Sequence, residues 1–198
     1  MVVSRLREET AAMHERLEGL LNLGSADLSI DRYVRILQGF LAFFAPWEEA
    51  LTEHCLEEFA TIWLGRQRSQ LLRADLATLG AEADHALDHL IPSPPDFGVS
   101  GRWLGAVYVL EGSRLGGQHI SRHLEAKFGW SGGAGYSFFR GNKEDVATHW
   151  RALLETLEEN ANRSNQIIYG AHQTFIDLYR SFDLTLKSGP TVRQHECG

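Results

Sequence analysis

Apolar residues recur along most of the chain with a spacing close to the period of an α-helix. In the first segment they are Leu6, Met13, Leu17, Leu20 and Leu21, with charged residues between them. This pattern predicts an amphipathic first helix over 6–21. Gly24 and Ser25 then interrupt the pattern, and Ser29 is a good N-cap for a second helix that contains Tyr33 and Phe44.

The middle of the chain continues with the same period. Pro46 must kink or end the second helix, because proline lacks the backbone N–H that an interior helical position needs. The apolar spacing resumes over 47–64, and two further helical pieces are predicted over 67–79 and 82–90. Residues 91–98 contain three prolines and a glycine, so they are predicted to form a loop.

The second half of the chain predicts three long helices. Residues 101–128 form one helix broken by glycines, residues 129–141 a glycine-rich connection, and 143–160 and 165–186 two closing helices. No alternating strand pattern, two-residue hairpin signal or internal repeat is present. The predicted fold class is all-α: a single-domain bundle of seven or eight helices over 1–190, followed by a polar tail over 191–198.

Composition and charge narrow the possible functions. The chain has 198 residues, 43% hydrophobic and 23% charged, which suits one globular domain. A formal net charge of −7 offers no basic surface for nucleic acid. No apolar run is long enough to cross a membrane and no signal-peptide core follows Met1, so we expect a cytoplasmic protein. Cys55 and Cys197 are expected to be free thiols.

Four glycines share one face of the predicted 101–128 helix. They are Gly101, Gly105, Gly112 and Gly116. An interior glycine costs about 1 kcal/mol relative to alanine, so close packing of a helix or close approach of a flat ligand must offset the loss. Helix packing is favoured for the first two. The cluster of Gly112, Gly116 and Gly117 is expected to bend or loosen the helix, and it suits a planar ligand better.

One histidine of the nine has an arrangement that suits a metal ligand. Arg7, His14 and Glu18 share a face of the first helix, at spacings of seven and four residues. A neutral imidazole ligand usually has its other ring nitrogen bonded by a second group, and Glu18 could supply that bond directly or through water.

Other metal-binding arrangements are weaker. His85 with His89, and His119 with His123, have the i, i+4 spacing of joint ligands, but neither pair has an obvious third ligand, so both are interpreted as solvated surface residues. A di-iron carboxylate helix is suggested by Glu49, Glu53, His54 and Glu57. The Glu-x-x-His spacing of that class is missing.

Taken together, the segment from Leu6 to His14 and the segment from Tyr108 to Gln118 resemble the proximal and distal helices of the haem oxygenases, most closely bacterial members. The segment from Phe175 to Ser181 is similar to the family's late helix that reaches the haem edge. The resemblance implies a helical bundle of the haem oxygenase type, with haem held between the proximal and distal helices.

The resemblance also implies roles for individual residues. His14 would be the axial iron ligand, supported by Glu18. Gly112, Ser113 and Gly116 would be the catalytic positions of the distal helix, where Gly112, Gly116 and Gly117 let the backbone approach the haem. Arg7, Tyr108 and Arg180 would bind the haem propionates. Ser113 stands where mammalian members carry an aspartate that organises distal water, and a hydroxyl can still anchor a water.

The implied reaction is cleavage of haem, both substrate and cofactor, by O₂ and reducing equivalents to biliverdin, carbon monoxide and free iron. The presence of Arg7 and Tyr108 suggests α-meso cleavage. Because the chain shows no flavin or iron–sulfur motif, an external ferredoxin or NAD(P)H-dependent reductase is implied. A bacteriophytochrome is one possible acceptor of biliverdin. Two alternatives stay open: a non-catalytic haem carrier or sensor on the same fold, and a structural bundle whose glycines only pack helices.

Overall fold

The computed structural model describes residues 1–89, 91–141 and 143–187, of which 143–145 by their backbone alone. Its α-helices in these ranges are α1 (Val2–Leu21), α2 (Ile30–Glu53), α3 (Ala60–Trp63), α4 (Ser69–Thr78), α5 (Ser100–Phe128), α6 (Ser137–Arg140), α7 (Lys143–Glu159) and α8 (Ser164–Lys187). Short 3₁₀ turns cover Glu57–Phe59, His85–Leu87 and Ala161–Arg163, and no strand occurs in these ranges. The predicted all-α class is confirmed. The tail over 191–198, the boundary at 190 and Cys197 lie outside the described residues, whereas Cys55 is a free thiol.

The second helix begins at its predicted N-cap and continues past its proline. The Ser29 hydroxyl accepts a hydrogen bond from the Arg32 N–H at 3.1 Å, which confirms the predicted N-cap. Pro46 lies inside α2 without ending it. The prediction of helix through residue 64 is wrong, because α2 ends at Glu53 and the chain turns back. The Trp63 indole N–H then donates to the Thr52 hydroxyl at 3.0 Å, which holds the short α3 against the end of α2.

The predicted helix over 82–90 is also wrong within the described residues, which hold only a 3₁₀ turn there. Tertiary contacts override the local pattern. The Arg35 guanidinium donates to the Asp84 carboxylate at 2.6 Å, and the Gln38 side chain donates to the Glu82 carbonyl at 2.9 Å. The other Asp84 oxygen accepts from the Ala86 N–H and so begins the turn.

The helix α5 is continuous from Ser100 to Phe128, and it ends at Gly129 with a positive φ of 69°. The predicted interruption at its glycines is therefore wrong. Neighbouring elements brace the glycine segment: α6 packs against Gly117, and arginine side chains from the residues before α4 bond the preceding turn. This bracing offsets the low helix propensity of glycine.

The helix α8 lies at the centre of the bundle and packs against α1, α2 and α5. The aromatic core beside it includes Phe40 of α2, whose ring centroid lies 4.6 Å from that of Phe182. Phe138 of α6 also contacts Phe40, with ring centroids 5.0 Å apart. Aromatic pairs at such distances add to the free energy gained from apolar burial. Among the residues that the structure describes, no helix has the length and apolar character needed to cross a bilayer.

The close crossing of α5 and α8 depends on three glycines. A side chain at Gly105 would collide with the Ile167 carbonyl, and one at Gly170 would collide with the backbone of Arg102. At Gly101 a Cβ atom would lie 2.5 Å from the Gln166 Cβ. The prediction that Gly101 and Gly105 serve helix packing is confirmed. These three glycines are called the α5–α8 seam below.

Candidate haem site

The helices α1 and α5 run in the same direction along α8. Three residues of α1 contact α8 in order along the chain. The Glu9 carbonyl lies 3.1 Å from His172 Nε2, and the His14 ring centroid lies 6.1 Å from the Phe175 ring centroid. The Arg16 guanidinium lies 4.2 Å from the Tyr179 ring centroid. From α5, Gly101 faces Gln166 and Gly105 faces Ala171. Because the α8 partners advance with both helices, α1 and α5 are aligned in parallel.

Tyr108 fixes the register between α1 and α5. Its side chain is buried, and the side chains of Arg7 and Thr10 on α1 lie close enough to act on its hydroxyl group. Burial raises the pKa of the Tyr108 hydroxyl, and the charge of Arg7 opposes that shift. Four residues further along each helix, about 6 Å of axial rise, are His14 on one side and Gly112 on the other. His14 and the glycine segment therefore share one level of the bundle.

His14 is available for a ligand. Its side chain is 56% exposed, and Nδ1 lies 3.6 Å from the Glu18 carboxylate. That distance is longer than a direct hydrogen bond, so it suits an electrostatic contact or a bridging water. The Phe175 ring of α8 meets the imidazole edge-on, with ring planes at 82°. These contacts leave Nε2 as the ring nitrogen that a ligand can reach.

The glycine cluster of α5 has two different environments. A Cβ atom at Gly116 would meet no atom within 4 Å, and one at Gly112 would contact only the Trp150 ring, at 3.5 Å. At Gly117 a Cβ atom would collide with the Phe139 carbonyl. Gly117 therefore packs against α6 and does not join the open face, whereas Gly112 and Gly116 form a bare stretch of backbone. The sequence alone could not show which glycine packs against α6 and which faces open space, because Gly117 follows Gly116 directly.

Ser113 is bonded to a buried arginine. The Arg68 guanidinium donates to the Ser113 hydroxyl at 2.6 Å and to the Leu110 carbonyl at 2.8 Å. The hydroxyl itself donates to the Leu110 carbonyl at 2.6 Å, so it retains one acceptor position for a water. Arg68 is 3% exposed and lies over the rings of Phe44 and Phe138. Burial lowers the pKa of its guanidinium, chiefly through desolvation.

A second group of charges holds the turn before Gly112. The buried Glu111 carboxylate accepts a hydrogen bond from Arg66 at 2.6 Å and one from Arg114 at 2.9 Å. The Glu48 carboxylate accepts from the backbone N–H groups of Arg68 and Ser69, at 2.7 and 3.0 Å. Buried carboxylates that are paired in this way fix side-chain and helix positions. The backbone of the glycine segment is thus tied down from the side opposite its bare face.

The helix α7 supplies a further wall of the site. Trp150 contacts Gly112, and its ring centroid lies 5.3 Å from that of Tyr108. The α7 carboxylate of Glu158 accepts hydrogen bonds from the N–H groups of Val2 and Val3, both at 3.0 Å. Neither Trp150 nor Arg68 could be identified from local sequence patterns, because both join the site through contacts distant in sequence. Trp150 stands three residues before Leu153 on an apolar stripe, a spacing that marks the buried face of α7 without marking a site.

Arg180 is not brought to this group of residues. Its guanidinium lies 3.8 Å from the Asp177 carboxylate and is 65% exposed. Asp177 lines a pocket with Arg102 and Gln173, whereas Phe175 faces His14. Arg180 is about 140° around α8 from Phe175. It therefore belongs to the other face of α8.

The alternative metal ligands do not assemble either. His85 lies on the 3₁₀ turn and contacts Asp88 at 3.1 Å, so the helical spacing assumed for His85 and His89 does not occur. His119 and His123 follow the glycine segment on α5, and His123 lies 3.4 Å from the Ser25 carbonyl. Among the described residues no three His, Cys, Asp or Glu side chains are grouped so that they could hold a metal ion.

Comparison with known proteins gives one consistent family. The family model described as heme oxygenase matches residues 2–182. A heme oxygenase from Xanthomonas campestris pv. campestris (strain 8004) is 33% identical over 162 residues, which cover 79% of this chain and 92% of that protein.

Solved structures share the fold. The NO- and CO-bound heme oxygenase of Neisseria meningitidis superposes with a TM-score of 0.74 at 20% identity, over 97% of this chain and 95% of that one. Heme oxygenase from Leptospira interrogans gives a TM-score of 0.73 at 20% identity, over 92% and 98% of the two chains. Heme oxygenase-1 from Synechocystis sp. PCC6803, in complex with heme, gives 0.71 at 16% identity, over 92% and 91%. The match of the family model over nearly the whole chain, together with this relative, shows that the chain belongs to the heme oxygenase family, the enzymes that degrade haem to biliverdin.

Proposed function

We propose that this chain binds haem between His14 of α1 and the bare backbone of α5 at Gly112 and Gly116, and cleaves it there to biliverdin, carbon monoxide and iron. The observation that carries the proposal is the register of the two helices. Tyr108 lies beside Arg7 and Thr10, and one turn further an exposed imidazole stands at the level of a glycine pair without side chains.

The residues of this space fit a porphyrin. A Cβ atom at Gly116 would have no neighbour within 4 Å, which leaves room for a flat molecule against the helix. Phe175 and Trp150 present aromatic surface at its sides. Arg7 and the Tyr108 hydroxyl would offer donors for propionates at the Tyr108 end of this space. Arg180 is not included, because of its position on α8. A cradle of this kind combines an apolar face with a few placed polar groups.

Haem iron, once reduced, would supply the activation of O₂. The residues of the chain have three tasks around that chemistry. His14 would hold the iron through Nε2, and Glu18 would raise the basicity of the imidazole through Nδ1, directly or by a water. The bare backbone at Gly112 and Gly116 would lie close to one face of the haem and limit the space on that side. Ser113, oriented by Arg68, keeps an acceptor position for a water that delivers protons.

The electrons come from a separate protein. The chain has no flavin or iron–sulfur motif, and the reaction consumes reducing equivalents, so a ferredoxin or an NAD(P)H-dependent reductase is the partner class that we infer. A bacteriophytochrome is a possible acceptor of the product. The cytoplasmic location inferred from the sequence stays a prediction.

Aerobic haem turnover tests the proposal. The chain is mixed with hemin, then with ascorbate or a reductase under air, and the absorption spectrum is followed. The parent should lose its Soret band and gain a biliverdin spectrum. His14→Ala should lose the native axial ligand and most turnover, and added imidazole should restore the axial spectrum.

The matched control is His85→Ala, which removes an exposed histidine from the 3₁₀ turn over His85–Leu87 and should turn over like the parent. A parent that binds hemin but keeps its Soret band under reducing conditions would instead be a carrier or sensor. A parent that ignores hemin, or an H14A variant with the parent's spectrum and rate, would overturn the proposed site.

A further inference from the structure

Trp150 lies at the boundary between the protein core and the bare face of α5. Its ring atoms Cη2 and Cζ3 lie 3.5 and 3.7 Å from the point where a Cβ atom of Gly112 would be. The ring is half-buried, and its plane makes an angle of 33° with that of Tyr108. A contact at these distances is ordinary van der Waals packing, so the protein alone does not require glycine at residue 112.

The packing of α7 fixes the position of the Trp150 ring. Leu153 and Leu157, which follow at helical spacing, are 2% and 0% exposed and anchor that face of α7 in the core. The Glu158 carboxylate ties the end of α7 to the first N–H groups of α1. Trp150 therefore lies at the end of the buried stripe of α7, next to Gly112, and its ring packs against the Tyr108 ring.

We propose that Trp150 is a positioning residue for haem: its ring is a stop at the Tyr108 end of the site that limits rotation of the porphyrin in its own plane. This inference rests on the proposed function. A porphyrin that lies over Gly112 and Gly116 presents an edge to the Trp150 ring. Because protein interiors are closely packed and resist overlap, that edge cannot move toward α7 while the indole is present.

The consequence concerns the product. Rotation of the porphyrin in its plane changes which meso carbon lies under the bare backbone at Gly116, and hence which isomer of biliverdin forms. Trp150→Ala opens space of about one indole at the Tyr108 end. The porphyrin then occupies more than one orientation, and the isomer mixture broadens. Trp150→Phe keeps a flat ring at the same position and should retain the parent's product.

Two measurements test the inference on each variant. The first is the set of hyperfine-shifted haem methyl resonances of the cyanide complex by NMR, which reports the in-plane orientation without turnover. The second is chromatography of the biliverdin isomers. In Trp150→Ala we expect additional methyl resonances and a rise in the minor isomers of roughly tenfold, the lower end of the discrimination that a lost apolar contact causes.

Trp130→Ala is the matched control. It also removes an indole from an aromatic group, but Trp130 stacks on Tyr136 and Phe128 and not on the Gly112 turn. It should keep the parent's NMR pattern and product. If Trp150→Ala does not fold, Trp150→Leu retains most of the apolar volume without the flat ring and should show the same change more weakly.

The outcomes separate the two proposals. A folded Trp150→Ala or Trp150→Leu with the parent's methyl resonances and isomer ratio would overturn the role of Trp150 and leave the haem site intact. An equal broadening in Trp130→Ala would overturn it as well, since general loosening of the bundle would then be the cause. A parent that does not bind hemin would overturn the proposed function itself.

Discussion

The Arg68 guanidinium donates a 2.6 Å hydrogen bond to the Ser113 hydroxyl, directly beside the glycine segment of α5. The guanidinium is buried, and it also donates to the Leu110 carbonyl. The helix α5 is thus held at this point by a residue that lies outside it. Arg68 therefore holds the helix at this point, and Ser113 is left to present an oxygen to water.

The two partners of this pair should differ in their effect on stability. Ser113→Ala removes one neutral partner, while Arg68 keeps its bond to Leu110, so a loss of about 1 kcal/mol in the free energy of unfolding is expected. Arg68→Ala removes a buried cation from a network of charges, and breaking such a network costs about 3–5 kcal/mol. Urea unfolding of the apo proteins measures both. Equal losses in the two variants would contradict the view that Arg68 is the main support.

Alanine at two adjacent glycines should have opposite effects on the apo protein. Gly117→Ala places a methyl group against the Phe139 carbonyl and should lower the free energy of unfolding by about 1–3 kcal/mol. Gly116→Ala adds a methyl group in open space and should raise it by up to about 1 kcal/mol through helix propensity.

Titration with hemin then tests whether Gly116 faces the haem. Gly116→Ala, although more stable, should bind hemin more weakly than the parent, because its methyl group would stand where the proposed site places the porphyrin. A Gly116→Ala variant with the parent's affinity for hemin would place the haem elsewhere.

Glu18 should control the reduction potential of the bound haem. Replacement by glutamine removes the negative charge beside Nδ1 of His14, which makes the imidazole a weaker electron donor to iron and should shift the potential to a more positive value. Spectroelectrochemical titration measures the shift. Glu15→Gln is the control, since it removes an exposed charge from a different face of α1. Shifts of the same size in both variants would show that only the net charge matters.

Asp177 should make stability depend on pH. Burial raises the pKa of its carboxyl, against the opposing effects of the Gln173 hydrogen bond and the Arg180 charge. An acid with a raised folded-state pKa contributes stability at low pH that is lost as the pH rises through that pKa. Asp177→Asn removes this loss, so the stability of the variant relative to the parent should increase from pH 4 to pH 7. Chemical unfolding at both values tests the sign, and a relative decrease would refute it.

The sequence predicted the parts of the site that depend on local spacing. Helical periodicity placed His14 with Glu18, and Gly112 with Gly116, on common faces of two helices that occur where the pattern predicts them. Their roles toward haem came from the family resemblance and stay predictions. Long-range contacts were not predictable in this way. Arg68 reaches Ser113 across 45 residues, and the Arg35–Asp84 ion pair replaces a helix that the apolar pattern favoured. The position of Arg180 on the far face of α8 follows from the packing of that helix, which its sequence does not specify.

The α5–α8 seam has a mechanical consequence for the haem site. Backbone meets backbone at Gly105 and Gly170 with no side chain between them, so these two helices form one block that cannot slide or separate without losing that fit. The opposite wall is α1, which is joined to α7 by the Glu158 carboxylate. Any change in the width of the cleft is therefore expected to come from α1 or α7, and not from separation of α5 and α8.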